Sequence, residues 1–194
     1  MRQLNAQSMR RLFISLLEVI EVAAVALLAV FLIRTYLVQP FLVSGNSMVP
    51  NFHHGDYLLV DELSYRFREP LRGEVSVFHY PQNESQFFIK RIIGLPGEQV
   101  VIKNNIINIF NDDHPEGILL DEAYLPADYV TAGDTDTTLG ESEYFVLGDN
   151  RSFSFDSRSW GVLGRKEIVG IVRLRLWPLS SLEAFAAPQY ELAS

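Results

Sequence analysis

Apolar residues fill almost every position from residue 12 to residue 33. It holds 22 residues, and roughly 20 apolar residues are needed to cross a bilayer as an α-helix. Glu18 and Glu21 interrupt it. Because a carboxylate at the bilayer centre is costly, we expect both near the cytoplasmic interface. This moves the predicted transmembrane span outward, to about residues 19–37.

Arginines flank the apolar stretch unequally, since Arg2, Arg10 and Arg11 precede it and Arg34 follows it. This bias predicts a single-pass protein of the cytoplasmic membrane, with the N-terminus inside, the rest outside and Arg34 reaching the far interface. A cleavable signal peptide is the competing interpretation. Its apolar core should be about 7–15 residues long and end at small residues, whereas this stretch runs into "IRTYLVQPF". A helix lying on the membrane fits less well, because residues 22–33 are apolar all round. We prefer an uncleaved anchor.

After residue 40 the pattern changes to short alternating segments rich in Val, Ile, Phe and Tyr, separated by Gly, Pro, Asn and Asp. Such segments are typical of antiparallel strands. The predicted fold class is mainly β: an N-terminal transmembrane helix, then an antiparallel β catalytic domain with an inserted small β/loop lobe. The predicted domains are a tail and anchor (1–40), a β core (41–98 and 143–180), an acidic, loop-rich lobe (99–142) and a C-terminal tail (181–194).

Composition excludes several classes of function. The net charge of −8 and the pI near 5.0 argue against nucleic acid as a partner, which needs a basic face. The absence of cysteine excludes disulfides, thiol catalysis and cysteine-bound zinc. Adjacent His53 and His54 point apart, so we interpret the histidines as surface residues, and "GDTDTT" lacks the closing Glu of a calcium loop. We therefore predict no metal and no cofactor.

Lys90 and Ser47 are the candidates for chemistry. On a strand, Lys90 shares a face with Phe88 and Ile92, whereas Arg91 has the other face. If the Lys90 face is inward, burial lowers the pKa of the amine, which can then act as a base near neutrality. An edge strand with Lys90 extending to water fits the pattern equally well. Ser47 is either a local turn serine or a hydroxyl projected by the bend between Gly45 and Pro50.

Five blocks occur in order after the anchor: "SGNSMVP", "GDYLLV", "RGEVSVFHYP", "KRIIGLPGE" and "GDNRSFSFDSRSWG". Together they resemble the bacterial type I signal peptidases, which are membrane-bound Ser-Lys proteases that remove signal peptides from exported proteins. The resemblance runs from about residue 12 to residue 180. One Ser-Met-x-Pro is a weak signal, but five blocks in register are a specific one.

The resemblance implies roles for particular residues. Ser47 would be the nucleophile and Lys90 the general base, with Ser154 orienting the lysine amine. Asp156 and Arg158 would form a structural ion pair near the site. The remaining implied residues are two of the Gly-Asp-Asn block, Asp149 and Asn150, and those of the substrate cleft and oxyanion region, namely Gly45, Asn46, Met48 and Pro50.

The chain departs from the family pattern at several positions. Asn51-Phe52 and Ser152-Phe153 replace the usual residues, and Gly45 stands where some members have a hydroxyl that donates to the oxyanion. The oxyanion would then depend on the Ser47 main-chain N–H and a further amide or water. None of these departures affects the nucleophile or the base.

The implied partners are membrane lipid and exported preproteins with small residues at positions −1 and −3 before the cut. We weighed three alternatives: a self-cleaving Ser-Lys repressor, a catalytically silent membrane-anchored scaffold of the same fold, and an anchored β-domain that binds a partner. The first carries a DNA-binding domain, the second usually lacks the Ser or the Lys, and the third leaves the five blocks unexplained.

Overall fold

The computed structural model describes the main chain of residues 2–36, 38–126 and 129–186. Side chains are described for residues 9–30, 39–126 and 129–186. Two compact units divide the chain, Met1–Val38 and Gln39–Ser194, and each is treated by itself.

The first unit is a single α-helix, α1 (Arg2–Tyr36). Its described side chains are exposed throughout, and residues Met9–Val30 are long and apolar enough to cross a membrane. Exposed apolar surface of this extent is unfavourable in water and favourable in lipid. The predicted N-terminal helix is therefore confirmed. The predicted outward shift of the span and the position of Arg34 depend on side chains outside the described residues.

The second unit is built mainly from antiparallel strands, which confirms the predicted fold class. In chain order the described strands are β1 (Val38–Leu42), β2 (Tyr57–Asp61), β3 (Val75–Tyr80), β4 (Asn83–Gly94), β5 (Gln99–Lys103), β6 (Ile106–Phe110), β7 (Ile118–Leu119), β8 (Thr135–Thr138), β9 (Glu143–Leu147), β10 (Leu163–Gly164), β11 (Ile168–Trp177) and β12 (Glu183–Ala184).

The larger sheet has the strand order β1-β2-β11-β3-β4-β9-β10, with β12 also paired to β11. Strand β4 is central to the site. It pairs with β3 from Asn83 to Arg91, but with β9 only from Arg91 to Gly94. Among the described strands, none pairs with the β9-side edge of β4 before Arg91. The second unit therefore has a strand edge, free among the described strands, that leads directly to Lys90.

The second sheet, of order β7-β6-β5-β8, lies entirely within residues 99–142. This region has more strand structure than its loop-rich sequence indicated, because alternating Val and Ile in β5 and β6 bury one face. Its core also contains residues of the larger sheet, so the two sheets are packed together. The separation into core and lobe stays a prediction. The shared apolar cluster comprises Ile93, Val100, Ile102, Ile107, Ile109, Leu120, Leu139, Phe145 and Leu147.

Short helical segments connect the strands. They include α2 (Ser64–Phe67), α3 (Ser157–Trp160) and three 3₁₀ turns, at Arg151–Phe153, Arg165–Glu167 and Leu179–Ser181. Asp156 caps α3, and its side chain accepts a hydrogen bond from the Arg158 main-chain N–H. This cap fixes the loop that follows the Gly-Asp-Asn block beside the site.

Candidate active site

A groove of about 330 Å³ lies along the free edge of β4. One wall is formed by residues 41–47, and the other by residues 87–90 of β4. Phe153 and Phe155 line the groove as well, and both are exposed, Phe153 by 81%. Ser47 and Lys90 both lie in the lining. The groove therefore combines the free edge of β4, apolar side chains and the two predicted reactive groups.

Ser47 and Lys90 are in direct contact. Lys90 Nζ lies 2.7 Å from Ser47 Oγ, although the residues are 43 positions apart in the chain. The amine also donates to the Ile89 carbonyl oxygen at 2.8 Å. These two contacts aim the nitrogen at the serine hydroxyl. A neutral amine in this position can accept the hydroxyl proton, which is the geometry needed to activate a serine nucleophile.

The environment of Lys90 favours the neutral amine. The residue is only 4% exposed, and burial lowers the pKa of Lys90 to about 8. The carboxylates of Asp156 and Asp149 act in the opposite direction and limit this decrease in pKa. Among the described residues, no carboxylate forms an ion pair with the amine. Burial is therefore the larger effect, and Lys90 has the inward one of the two orientations that the strand pattern left open.

Arg91, the next residue of β4, is buried as well. It is 6% exposed, on the opposite face of β4 from Lys90. Its guanidinium donates two hydrogen bonds to Asp149, at 2.8 and 2.6 Å, and one to the Gly73 carbonyl at 2.8 Å. Strand alternation predicts which face of β4 each residue has, but not that Asp149 covers the face of Arg91. The sequence features that could have indicated this ion pair are the arginine next to Lys90 and the aspartate of "GDN".

The Gly-Asp-Asn block holds the nucleophile turn. The Asn150 main-chain N–H donates to the Ser47 carbonyl at 3.0 Å, and its side-chain amide donates to the Asn46 carbonyl at 3.0 Å. A Cβ on Gly148 would lie 2.4 Å from the Ser47 carbonyl oxygen and 2.1 Å from Ser154 Oγ. Position 148 thus requires glycine, which residue reasoning missed because a close approach leaves no trace in a single sequence.

The Asp156–Arg158 ion pair is present. Arg158 donates from Nε and Nη2 to the two carboxylate oxygens, at 2.9 and 2.8 Å. Asp156 is fully buried and also accepts from the Gly148 N–H at 3.1 Å. The pair therefore holds Gly148, and through it the turn that approaches Ser47.

Ser154 differs from the prediction. Its Oγ is buried near Gly148, but it makes no hydrogen bond to Lys90 or to any other described residue. The amine is instead engaged by Ser47 and Ile89. The sequence motif placed this hydroxyl near the site, but hydrogen-bond partners depend on side-chain rotation that a motif does not encode.

The residues around Ser47 fall into two groups. Gly45 and Asn46 line the groove, and Gly45 has a φ of 97°, which favours glycine. Met48 and Pro50 are not among the described residues that line it, and their part in the substrate cleft stays a prediction. Met48 is 1% exposed and packs in a core cluster with Phe52, whereas Pro50 lies at a separate cavity with the exposed His53 and His54. The turn at Ser47 directs successive side chains to different sides.

The Ser47 main-chain N–H can serve as a donor to an oxyanion in the groove. Among the described residues, none accepts a hydrogen bond from the Ser47 N–H. The Gly45 N–H, in contrast, donates to His54 Nδ1 at 3.3 Å. No group of three His, Asp or Glu side chains converges as metal ligands would in the described part of the chain.

A serine hydroxyl held by a buried lysine on a β-domain is an arrangement of serine hydrolases, and comparisons with known proteins identify the family. The signal peptidase family, peptidase S26, matches residues 16–177. Signal peptidase IB of Staphylococcus aureus strain Mu50 is 32% identical over 179 residues, covering 87% of this chain and 93% of its own. A probable signal peptidase I-1 of Synechocystis is 35% identical over 172 residues, covering 84% and 83%.

The chain belongs to the signal peptidase family, peptidase S26. Among solved structures, a signal peptidase I from Enterococcus faecalis V583 is 31% identical, with a TM-score of 0.45. That match covers 54% of this chain and 97% of the other.

Proposed function

We propose that this protein is a membrane-anchored serine endopeptidase that removes N-terminal signal peptides from exported preproteins, with Ser47 as nucleophile and Lys90 as general base. The observation that carries the proposal is the 2.7 Å contact between Ser47 Oγ and the buried Nζ of Lys90. Family membership supports the reaction class, and α1 supports the membrane anchor. A catalytically silent scaffold is not favoured, because both reactive groups are present and in contact.

The chemistry follows from this contact. Neutral Lys90 takes the proton of Ser47 as Oγ attacks the carbonyl carbon of the residue before the cut, and the Ser47 N–H donates to the oxyanion. Lys90 then gives the proton to the leaving amine of the mature protein. This leaves the signal peptide attached to Ser47 as an ester. Water opens the ester with Lys90 again as base, which restores the free serine.

The groove accounts for the mode of substrate binding. An extended peptide can add beside the free edge of β4, so that main-chain hydrogen bonds supply affinity and side-chain pockets supply specificity. We propose that the side-chain pockets beside Ser47 accept small residues at positions −1 and −3 of the substrate. We further propose a single-pass topology with the N-terminus in the cytoplasm, which places the groove on the side where signal peptides leave the membrane.

The test uses the full chain in detergent with a preprotein substrate, comparing the natural protein with the Ser47→Ala variant. We expect cleavage at the signal peptide junction by the natural protein alone. The kcat/KM should rise about tenfold per pH unit up to a pKa near 8, because only neutral Lys90 is active. Equal cleavage by both proteins would remove Ser47 from the mechanism. Absence of cleavage by either would favour a scaffold.

A second experiment tests the finer specificity and topology. Preproteins with Ala, Leu or Lys at position −1 or −3 should be cleaved in that order of preference. Protease added outside intact cells should degrade the β-domain but leave a tag on the N-terminus protected. Protection of the β-domain would reverse the proposed orientation.

A further inference from the structure

Four residues between β7 and β8 contact the loops that carry the candidate active site. These strap residues are Glu122 and Tyr124, which follow β7, and Thr131 and Ala132, which precede β8. They belong to the inserted lobe, and none is in the groove lining.

Tyr124 has the most extensive contacts of the four. Its ring centroid lies 4.0 Å from Cζ of Arg91, the residue after the candidate base. Its carbonyl oxygen accepts from the Asn51 side-chain amide at 3.3 Å. The same amide donates to Asp149 at 2.8 Å. One tyrosine therefore touches both the chain just beyond Ser47 and the strand that carries Lys90.

The other strap residues bind the loop after the Gly-Asp-Asn block. Arg151 is 2% exposed, and its guanidinium donates to Glu122, to Thr131 Oγ1 and, at 2.9 Å, to the Tyr124 hydroxyl. The Tyr124 hydroxyl in turn donates to Glu122 at 2.6 Å. The Ala132 carbonyl accepts from Nη1 of Arg158 at 2.9 Å.

We propose that the strap residues position the Ser47–Lys90 pair, with Tyr124 as the principal positioning residue. The contacts join three segments distant in sequence: the turn after Ser47, the strand at Lys90 and the loop at Asn150. Asn150 in turn holds the Ser47 carbonyl. Positioning of this kind matters because a displacement of about 1 Å at reacting atoms can cost roughly 10²-fold in rate. The proposal rests on the proposed peptidase function.

The experiment compares three full-length variants. Tyr124→Leu removes the ring from Arg91, Tyr124→Phe keeps the ring and removes the hydroxyl, and Ile109→Val modestly loosens the apolar core of the same lobe. We expect Tyr124→Leu to lower kcat by about tenfold to a hundredfold with KM nearly unchanged, since the groove walls stay intact. Tyr124→Phe should stay within about threefold of the natural kcat, and Ile109→Val should keep its kcat at the price of some stability.

Hydrogen exchange supplies a readout that needs no cleavage. The Asn150 amide, which donates to the Ser47 carbonyl, should exchange faster in Tyr124→Leu than in Ile109→Val. Should Tyr124→Leu not fold, Glu122→Gln should lower kcat about threefold to tenfold while the ring remains over Arg91.

The positioning role is wrong if Tyr124→Leu loses stability but keeps the natural kcat, as Ile109→Val should, and the Asn150 amide exchanges no faster than in Ile109→Val. If the natural protein cleaves no preprotein, the proposed function is contradicted instead. The exchange rate of the Asn150 amide would still test whether the strap residues hold the turn at Ser47.

Discussion

The two faces of β4 bury adjacent cations in different ways. On one face, Lys90 contacts a hydroxyl and a carbonyl oxygen, and its pKa is lowered to about 8. On the other face, Arg91 donates two hydrogen bonds to the fully buried carboxylate of Asp149. The two side chains are almost equally buried, at 4% and 6% exposed.

The difference shows two ways to bury a cation in one strand, with a carboxylate partner that compensates its charge or with an amine that can lose its proton. A guanidinium stays charged in proteins, and a carboxylate at hydrogen-bonding distance compensates for its lost hydration. A hydroxyl and a carbonyl compensate an ammonium less, so the amine gives up its proton more readily. One strand thus presents a permanent charge and a titrating base at successive positions.

The largest effect is expected for Lys90→Arg. This variant has a permanent cation on both faces of β4, Arg91 on one face and the new arginine on the face of Ser47. Arginine is not deprotonated in proteins, so it cannot take the Ser47 proton. We expect kcat/KM to fall by roughly 10³-fold or more at every pH, as for loss of a general base. Steady-state cleavage of a preprotein measures it. The exposed Lys103→Arg is the matched control and should behave as the natural protein does.

Asp149→Asn tests the opposite face by removing the partner of Arg91. A buried guanidinium without its carboxylate should cost about 3–5 kcal/mol of the free energy of unfolding, measured in urea. Because the Asp149 carboxylate raises the pKa of Lys90, its loss should also move the acid limb of kcat/KM to lower pH. The exposed Asp134→Asn should change neither quantity, and a limb that moved upward would contradict this account.

Lys90→Met tests the lowered pKa of Lys90 through the free energy of unfolding, measured as a function of pH. The folded pKa of about 8 lies below the ordinary 10.5, so below pH 8 both folded and unfolded chains are protonated and burial of the ammonium costs stability. Between pH 8 and 10.5 the unfolded chain binds more protons, and the natural protein gains stability as pH rises. The free energy of unfolding of Lys90→Met minus that of the natural protein should therefore decrease by on the order of 3 kcal/mol from pH 8 to 10.5. If this difference in stability did not change with pH, the pKa of Lys90 would be the same in the folded and unfolded chains, and this account would be wrong.

Features that depend on neighbouring residues in the chain could be predicted from the sequence. Strand alternation selected Lys90 for one face of β4, and the charged, apolar N-terminus predicted α1. The burial of Arg91 could not be predicted in this way, because its cover comes from Asp149, 58 positions away. The burial of Met48 likewise depends on how the turn at Ser47 packs against Phe52. Side-chain rotation decides the partners of Ser154, and a motif specifies only that a hydroxyl is present.

The free edge of β4 has a consequence for selectivity. If a peptide completes the sheet there, it must offer unoccupied main-chain amides and carbonyls along several residues. A segment coiled into a helix already uses those groups internally, and a segment inside a folded domain is paired elsewhere. The enzyme would then discriminate by conformation before it reads any side chain, and mature exported proteins would escape cutting once they fold, even where an acceptable pair of small residues occurs.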